Sequence, residues 1–490
     1  MLKRYFRPSA SIIAVLLAFS TLLGSVSAQP AQAANPKGNS GPANAEEIQK
    51  FADQFFKKEM EKLKIPGAVF AVVKDNKVLF QKGYGYSNLE KGIKMDPENT
   101  VFRAASVGKV FTATAVMQQV EQGKIDLNED VNSYLGDIQL KNNVNEPVTM
   151  KHLLSFTTGF DNPDKINPVI FDLTERHELR DIIIKGMPTV VRKPGESYMY
   201  DNYASMLQGY IVQNLSGMSY QQYMDKHIFQ PLGMNNSNIV MTPQIEAKLA
   251  AGYDIDGKPI PPYTIVPAEA PQGSMFTSAS DMTKFMLAQL NNGKLGNTRI
   301  LKPKSTKEMQ KIHFAVHSKV PNMGYGFETF FHASHNGQKV IGKGGDLPGY
   351  HSWMWLLPEQ KLGAFVFFNK DDANWPDMRA QVFGEFMDRF YPEKEERPTY
   401  LKPTLEELRR FEGTYRDLRL PEHWATKITA SPDGTLIVED AATGKHIVRQ
   451  LEPLLFEDED GNPLAFKENE DGTIGYLYYA DPVAMAQKIE

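Results

Sequence analysis

Between residues 46 and 63 apolar side chains return at Ile48, Phe51, Phe55, Phe56, Met60 and Leu63. Steps of three and four put them on one face, so the segment predicts a helix docked on a core. The run Gly67-Ala-Val-Phe-Ala-Val-Val73 follows, then a polar Lys74-Asp75-Asn76-Lys77 turn and Val78-Leu79-Phe80, a pattern that predicts a buried hairpin. From about 106 to 320 the pattern is mostly helical, broken by Pro and Gly loops and without a fixed repeat. Short apolar runs return at 327–331, 339–343, 350–357 and 363–368, separated by Asn-Gly, Gly-Gly and Pro-Glu punctuation. They are expected to complete the sheet begun near residue 67. Met378, Val382, Phe386 and Phe390 then recur at helical spacing.

Pro392-Glu-Lys-Glu-Glu-Arg-Pro398 breaks that pattern with charge and proline. The chain is therefore read as a mixed α/β (α+β) domain over 46–391, an antiparallel sheet flanked by helices with a helical subdomain, then a linker over 392–404 and a β-rich module over 405–490. In that module Asp433-Gly434, Asp460-Gly461 and Asp471-Gly472 punctuate β-prone runs such as Leu436-Ile-Val438. The pairs read as turns, not calcium loops, because the D-x-D-x-D-G ligand ladder is absent. At the other end Lys3, Arg4 and Arg7 precede an apolar stretch from Ile12 to Leu23 and two small-residue cleavage sites, Val26-Ser27-Ala28 and Ala31-Gln32-Ala33. Residues 1–34 are expected to be a secretory signal peptide, since the stretch is shorter than the roughly 20 residues a span needs, and 35–45 a flexible leader. Export, with no lasting membrane anchor, is the expectation.

With 490 residues the chain is about three times the usual ~150 per domain, so more than one domain fits. The formal charge of −5 offers no general positive field for phosphates, which argues against a nucleic-acid partner. The absence of cysteine removes disulfides, thiolate nucleophiles and Cys-ligated zinc together.

Ser106-Val-Gly-Lys109 stands where a helical pattern begins, with Val110, Ala113 and Met117 continuing the serine's face. Residues three apart on a helix are neighbours, so the lysine amine can reach the hydroxyl. A serine hydroxyl is a poor nucleophile until a base takes its proton, and a lysine, ordinarily near ~10.4, serves as base only where burial or a nearby cation destabilises its charge. Alone, S-x-x-K is common and equally describes a capping serine beside a snorkelling lysine. Two further elements follow in the order of S-x-x-K, S-D-N and K-T-G enzymes: Tyr200-Asp201-Asn202, and Lys343-Gly344-Gly345 at the end of a β-prone run. The glycines are expected to leave the strand edge clear for a substrate.

With these elements the chain resembles the serine β-lactamase and penicillin-recognising superfamily, in particular class C β-lactamases and the related D-aminopeptidases and esterases. The resemblance spans about 46–390 and rests on Thr100-Val-Phe-Arg-Ala-Ala-Ser-Val-Gly-Lys109, His152-Leu-Leu-Ser-Phe-Thr-Thr-Gly159, Pro194-Gly-Glu-Ser-Tyr-Met-Tyr-Asp-Asn202, Gly273-Ser-Met-Phe-Thr-Ser-Ala-Ser-Asp281 and Gly342-Lys-Gly-Gly-Asp-Leu-Pro-Gly-Tyr350. It implies Ser106 as nucleophile and Lys109 with Tyr200 as the proton-transfer set, with the base left open between them. It further implies an oxyanion hole from the backbone N–H groups of Ser106 and Asp346, and substrate contacts from Asn202, Lys343, Gly344 and Gly345. Phe156 stands where the family often has histidine, and Asp201, where it often has serine, is expected to point outward rather than to add a charge near the cleft.

Other readings stay open. Ala104-Ala-Ser106-Val-Gly108 also fits a nucleophile elbow, which would need a Ser-Asp-His triad drawn from residues such as His313, His317, His335 or His351. His313 and His317 lack the glutamate of H-E-x-x-H, so no metal and no cofactor are expected. A cleft that merely captures a cell-wall peptide or β-lactam is the non-catalytic alternative, and a carboxylesterase on the same scaffold the catalytic one. The reading favoured is an exported serine hydrolase acting through an acyl-enzyme on a small-molecule or peptide substrate. Lys343 points to one bearing a carboxylate, a D-amino-acid peptide of the peptidoglycan type or a β-lactam, with cell-wall material as a candidate partner and oligomeric state unread.

Overall fold

The structure, a computed structural model, describes residues 41–489 except 162–167, 176, 268, 330–334, 373–376, 393–397, 421–423, 441–443 and 480–482. The expected signal segment, residues 35–40 of the leader, part of the linker and the end of the 327–331 run lie outside the described residues. Two compact units are present, the larger from Ala31–Asp372 and Met378–Glu396, the smaller chiefly from Arg397–Glu490.

The main elements of the larger unit, in chain order, are α1 (Ala45–Leu63), β1 (Gly67–Lys74), β2 (Lys77–Asn88), β3 (Ile93–Lys94), α2 (Gly108–Glu121), α3 (Asn202–Ser216), α4 (Ala279–Leu290), β4 (Ile341–Leu347), β5 (Tyr350–Leu357), β6 (Leu362–Phe368) and α5 (Met378–Phe390). Among the described residues the strands form one sheet in the order β4-β5-β6-β1-β2-β3, antiparallel throughout. Chain ends of the domain thus meet at its centre, where β1 pairs with β6.

The early helix forms where its periodicity predicts. Asn44 caps it by accepting from the Glu47 N–H at 3.0 Å, and Lys64 closes it in the left-handed region at φ 53°. Its Phe51, Phe55 and Phe56 pack with Phe386 of α5 onto Phe70, Val72, Val366 and Phe368. Fully burying each such ring is worth roughly 1.5–3 kcal/mol. The opposite sheet face carries Phe365 and Phe367, whose rings stack on Phe102 at 5.6 and 4.1 Å. Behind them Phe111 of α2 stacks on Phe285 of α4 at 3.7 Å. Both faces are covered, which is why β1 and β6 read as unbroken apolar runs instead of alternating ones.

Two expectations shift. The 339–343 run becomes a strand that ends at Leu347, because pairing with β5 carries the chain through polar and glycine residues that read as a turn. At 327–329 no strand forms; Glu328 instead makes isolated bridges to Met323 and Gly342.

In the smaller unit eight strands, from Gly413–Asp417 to Ala486–Lys488, close into a barrel. Its interior is filled, with Phe411, Phe456 and Phe466 in mutual ring contact at 4.6–5.6 Å. Closure removes the exposed edges that an open sheet of this kind would carry. Gly434, Gly461 and Gly472 all adopt positive φ, as turn residues of Asp-Gly pairs do.

Candidate active site

The nucleophile turn is built by short-range strain. Phe102–Arg103 pairs with Phe276–Thr277, and the Ala104 N–H donates to the Met275 carbonyl at 2.8 Å. Ala105 then swings to φ 50°, a left-handed conformation that costs a non-glycine residue roughly 1–2 kcal/mol. Ser106 follows in a single 3-10 turn, Ala105–Val107, before α2 begins. From Gly108 to Gln119 every residue of α2 is buried, so this is a central helix without a solvent face.

Lys109, 1% exposed, donates from Nζ to Ser106 Oγ at 3.0 Å and to the Gln272 carbonyl at 2.6 Å. The Tyr200 phenol oxygen lies 2.8 Å from the same Oγ. Ser106 Oγ therefore has an amine and a phenol within proton-transfer distance. The Tyr200 ring is held from three sides: the Lys109 and Lys343 ammonium groups sit 5.0 and 4.7 Å from its centroid, and Phe156 packs against it edge-on at 5.3 Å and 75°. Phe156 is itself left-handed, at φ 54°, and its carbonyl accepts from Met199 N–H at 3.0 Å. The residue that departs from the family's usual histidine thus anchors the phenol.

Asn202 opens α3 two residues after Tyr200, with Asp201 between them as the cap. Asp201 does not point outward. It is fully buried, caps α3 by accepting from Ala204 N–H at 2.9 Å, and accepts from the Thr158 hydroxyl at 3.2 Å. A helix N-terminus rewards an acceptor there.

Gly345 also plays a part different from the expected one. A Cβ on it would lie 2.5 Å from the Ala104 carbonyl oxygen and 2.8 Å from the Ser106 nitrogen. Its missing side chain lets β4 abut the turn that bears Ser106. Gly344 is partly exposed, and its carbonyl accepts from Lys343 Nζ at 3.2 Å.

Lys343 is not the bare cation expected. Its Nζ is 2.9 Å from Glu328 Oε2, and both side chains are only 2% exposed. Burial lowers the lysine's pKa, and the Glu328 carboxylate opposes that shift. Glu328 is clamped in place by two backbone hydrogen bonds of 2.8 Å exchanged with Gly342.

A second group escaped the sequence reading. The Asp346 carboxylate meets Arg379 Nη1 at 2.9 Å and His351 Nδ1 at 2.7 Å, and His351 Nε2 meets Asp371 at 3.0 Å. Asp371 accepts from Gly349 N–H at 2.6 Å, Arg379 donates to the carbonyls of Gly345 and Ser352 at 3.2 and 3.1 Å, and the Ser352 hydroxyl donates to the Ala104 carbonyl at 2.8 Å. The network runs from α5 across the β4–β5 turn to the residue two before the nucleophile. Burial pulls the imidazole down, but the hydrogen bonds it donates to the Asp346 and Asp371 carboxylates outweigh that and push His351 up to about 9. Burial raises Asp346, whereas Arg379 and His351 more than compensate and hold it well below the usual carboxylate range. The signal was present: Asp346 and His351 flank one tight turn and fall opposite each other in the strand register.

The elbow reading fails, because the sheet is antiparallel and the hydrogen-bond partners of Ser106 Oγ among the described residues are Lys109 and Tyr200. His313 precedes and His317 ends the strand Phe314–His317, so they share no helix face. Among the described residues no group of three or more His, Asp or Glu is placed to hold a metal ion. None of the described helices is long and apolar enough to cross a membrane.

A family model described as Beta-lactamase matches residues 52–383. Protein flp of Staphylococcus aureus (strain N315) is 28% identical over 335 residues, covering 66% of this chain. The match spans 64% of that relative's length. Among solved structures, the octameric penicillin-binding protein homologue from Pyrococcus abyssi aligns with a TM-score of 0.57 at 23% identity, over 90% of this chain and all of the other. SurE with D-Leu aligns with a TM-score of 0.64 at 18% identity, over 91% of this chain and all of the other. At these identities the two structures speak to the fold.

Proposed function

The chain belongs to the beta-lactamase family, and from that premise we propose that it is a serine hydrolase that works through an acyl-enzyme on Ser106. The observation that carries this reading is Ser106 Oγ lying 3.0 Å from Lys109 Nζ and 2.8 Å from the Tyr200 phenol oxygen. As Oγ attacks a carbonyl carbon, its proton passes to whichever of these two is deprotonated. The carbonyl oxygen, gaining negative charge, is received by the Ser106 and Asp346 N–H groups, a kind of donor worth about 2.7–4 kcal/mol each in the barrier. The leaving group takes a proton from Tyr200, which either holds the one it received from Oγ or is re-protonated by Lys109 through Oγ. Water then repeats the sequence on the ester formed at Ser106 and frees the product acid.

Two substrate classes suit this chemistry: amides bearing a carboxylate, of the D-amino-acid peptide or β-lactam type, and esters. The choice between them turns on the charge around Lys343. We place the enzyme outside the cytoplasm, on the N-terminal pattern of residues 1–34, with wall peptides as a candidate partner. The test is a panel of a chromogenic cephalosporin, a p-nitrophenyl ester, a D-alanyl-D-alanine peptide and a D-amino amide, run with wild type and Ser106→Ala. Turnover of at least one member that disappears in Ser106→Ala is expected. Turnover that survives the substitution contradicts the proposal, and a single stoichiometric burst without turnover would make the protein a binder instead.

A further inference from the structure

The cleft's charges are arranged unusually for a site meant to hold an anion. Lys343 lies on β4 two residues before the glycine that touches the nucleophile turn, so a substrate stretched along this strand would bring one end near its ammonium group. That ammonium already faces the Glu328 carboxylate at 2.9 Å, and neither side chain is more than 2% exposed. Two carboxylates at such a locus would repel in a medium that screens poorly. Arg103, three residues before the nucleophile, does not replace the lost cation. Its guanidinium is covered by the rings of Tyr263 and Phe276, at 4.3 and 4.7 Å, and donates to the Tyr263 carbonyl at 2.5 Å. Of the other groups beside the site, Asp346, Asp371, His351 and Arg379 pair with one another, and the Lys109 amine is engaged by Ser106 and the Gln272 carbonyl.

We infer that Glu328 determines specificity: by holding Lys343 in a buried ion pair beside Tyr200, it turns the cleft toward acyl donors that are neutral next to the scissile bond and against those carrying a carboxylate there. The inference rests on the acyl-enzyme reading above and sharpens it. Lys343 keeps its place against the Tyr200 ring, where it acts on the phenol rather than on the substrate.

Matched substrates test this directly: an N-acyl-D-alanyl-D-alanine against its C-terminal amide, and 4-carboxyphenyl against 4-carbamoylphenyl esters of one acid, each rate divided by that of spontaneous hydrolysis. Wild type is expected to favour the neutral member at least tenfold in kcat/KM at pH 6. Glu328→Gln shifts that ratio about tenfold toward the anionic member, and Lys343→Met, which removes the cation facing Glu328, shifts it the other way. A merely structural role would slow both members of a pair equally in both variants, and that result overturns the inference. So does a wild-type preference for the anionic member, a measurement that needs no variant to fold. The outcomes separate from failure of the hydrolase reading, since turnover that persists in Ser106→Ala rejects the reading itself, whereas Ser106-dependent turnover favouring the anion rejects only the role of Glu328.

Discussion

The two units solve opposite problems with the same chemistry. The barrel hides apolar rings and bends at glycines: its positive-φ positions, such as Gly434, Gly461 and Gly472, carry no Cβ, and among the described residues no non-glycine with positive φ falls in 397–490. The larger unit places two such residues, Ala105 and Phe156, directly against its nucleophile and its phenol. It also buries the charges of Lys109, Lys343, Glu328 and His351, each a group that is expensive to remove from water unless partnered. The larger unit departs from local conformational rules around Ser106, where the proposed chemistry needs reactivity.

The largest effect that would sharpen this contrast is in the barrel. Phe466→Ala removes a ring that touches Phe411, Tyr415 and Phe456 and is expected to lower stability by about 3–5 kcal/mol, read by urea unfolding, with kcat at low temperature held within twofold. A loss of kcat matching the loss of stability would erase the distinction between the units. Gly345→Ala should act chiefly on kcat. A Cβ 2.5 Å from the Ala104 carbonyl forces β4 off the nucleophile turn, separates the two proposed oxyanion donors and lowers kcat by about 10²–10³, at a stability cost of about 1–3 kcal/mol. An unchanged kcat would show that the close approach is only packing.

The third effect is pH-dependent and belongs to the buried network. The folded His351 value of about 9 lies above its ordinary 6.5, so its stabilisation is complete below pH 6.5 and is lost as pH rises through 9. The loss should reach about 3 kcal/mol by the conversion of 1.36 per unit. His351→Asn should flatten that limb of the stability profile, and a wild-type profile that is already flat between pH 6 and 9.5 would remove the network's electrostatic role. For Asp346 the sign is opposite: its stabilisation is present above its ordinary value of 3.8 and is lost as pH falls well below it.

What could be read without coordinates was whatever depends on neighbours in the chain. The face of α1 and the Ser106–Lys109 pair rest on spacings of three or four residues, and the 67–80 hairpin and the strands at 350–357 and 363–368 on apolar runs bounded by turn residues. Tyr200 came from resemblance, since nothing local marks it. Glu328 was invisible, because its partner is 15 residues away and its carboxylate reads as an ordinary surface charge. Asp201 did carry a signal, an acceptor just before a helical run, yet was read as outward because charge is mostly exposed. His351 enters the sequence reading only as one of several histidines open to a triad, and only the strand register shows that it faces Asp346. The glycine at 345 was read for what it leaves open, whereas its meaning lies in what it touches.

The central claim is that a covalent ester forms on one hydroxyl. Incubating the enzyme with a slowly released acyl donor, such as an activated ester, followed by acid quench and peptide mass spectrometry, tests it most directly. The account predicts an acyl adduct on the peptide bearing Ser106, decaying as product appears, and no adduct on that peptide in Ser106→Ala. An adduct located on another residue, or product formed at the same rate without any adduct, would contradict it.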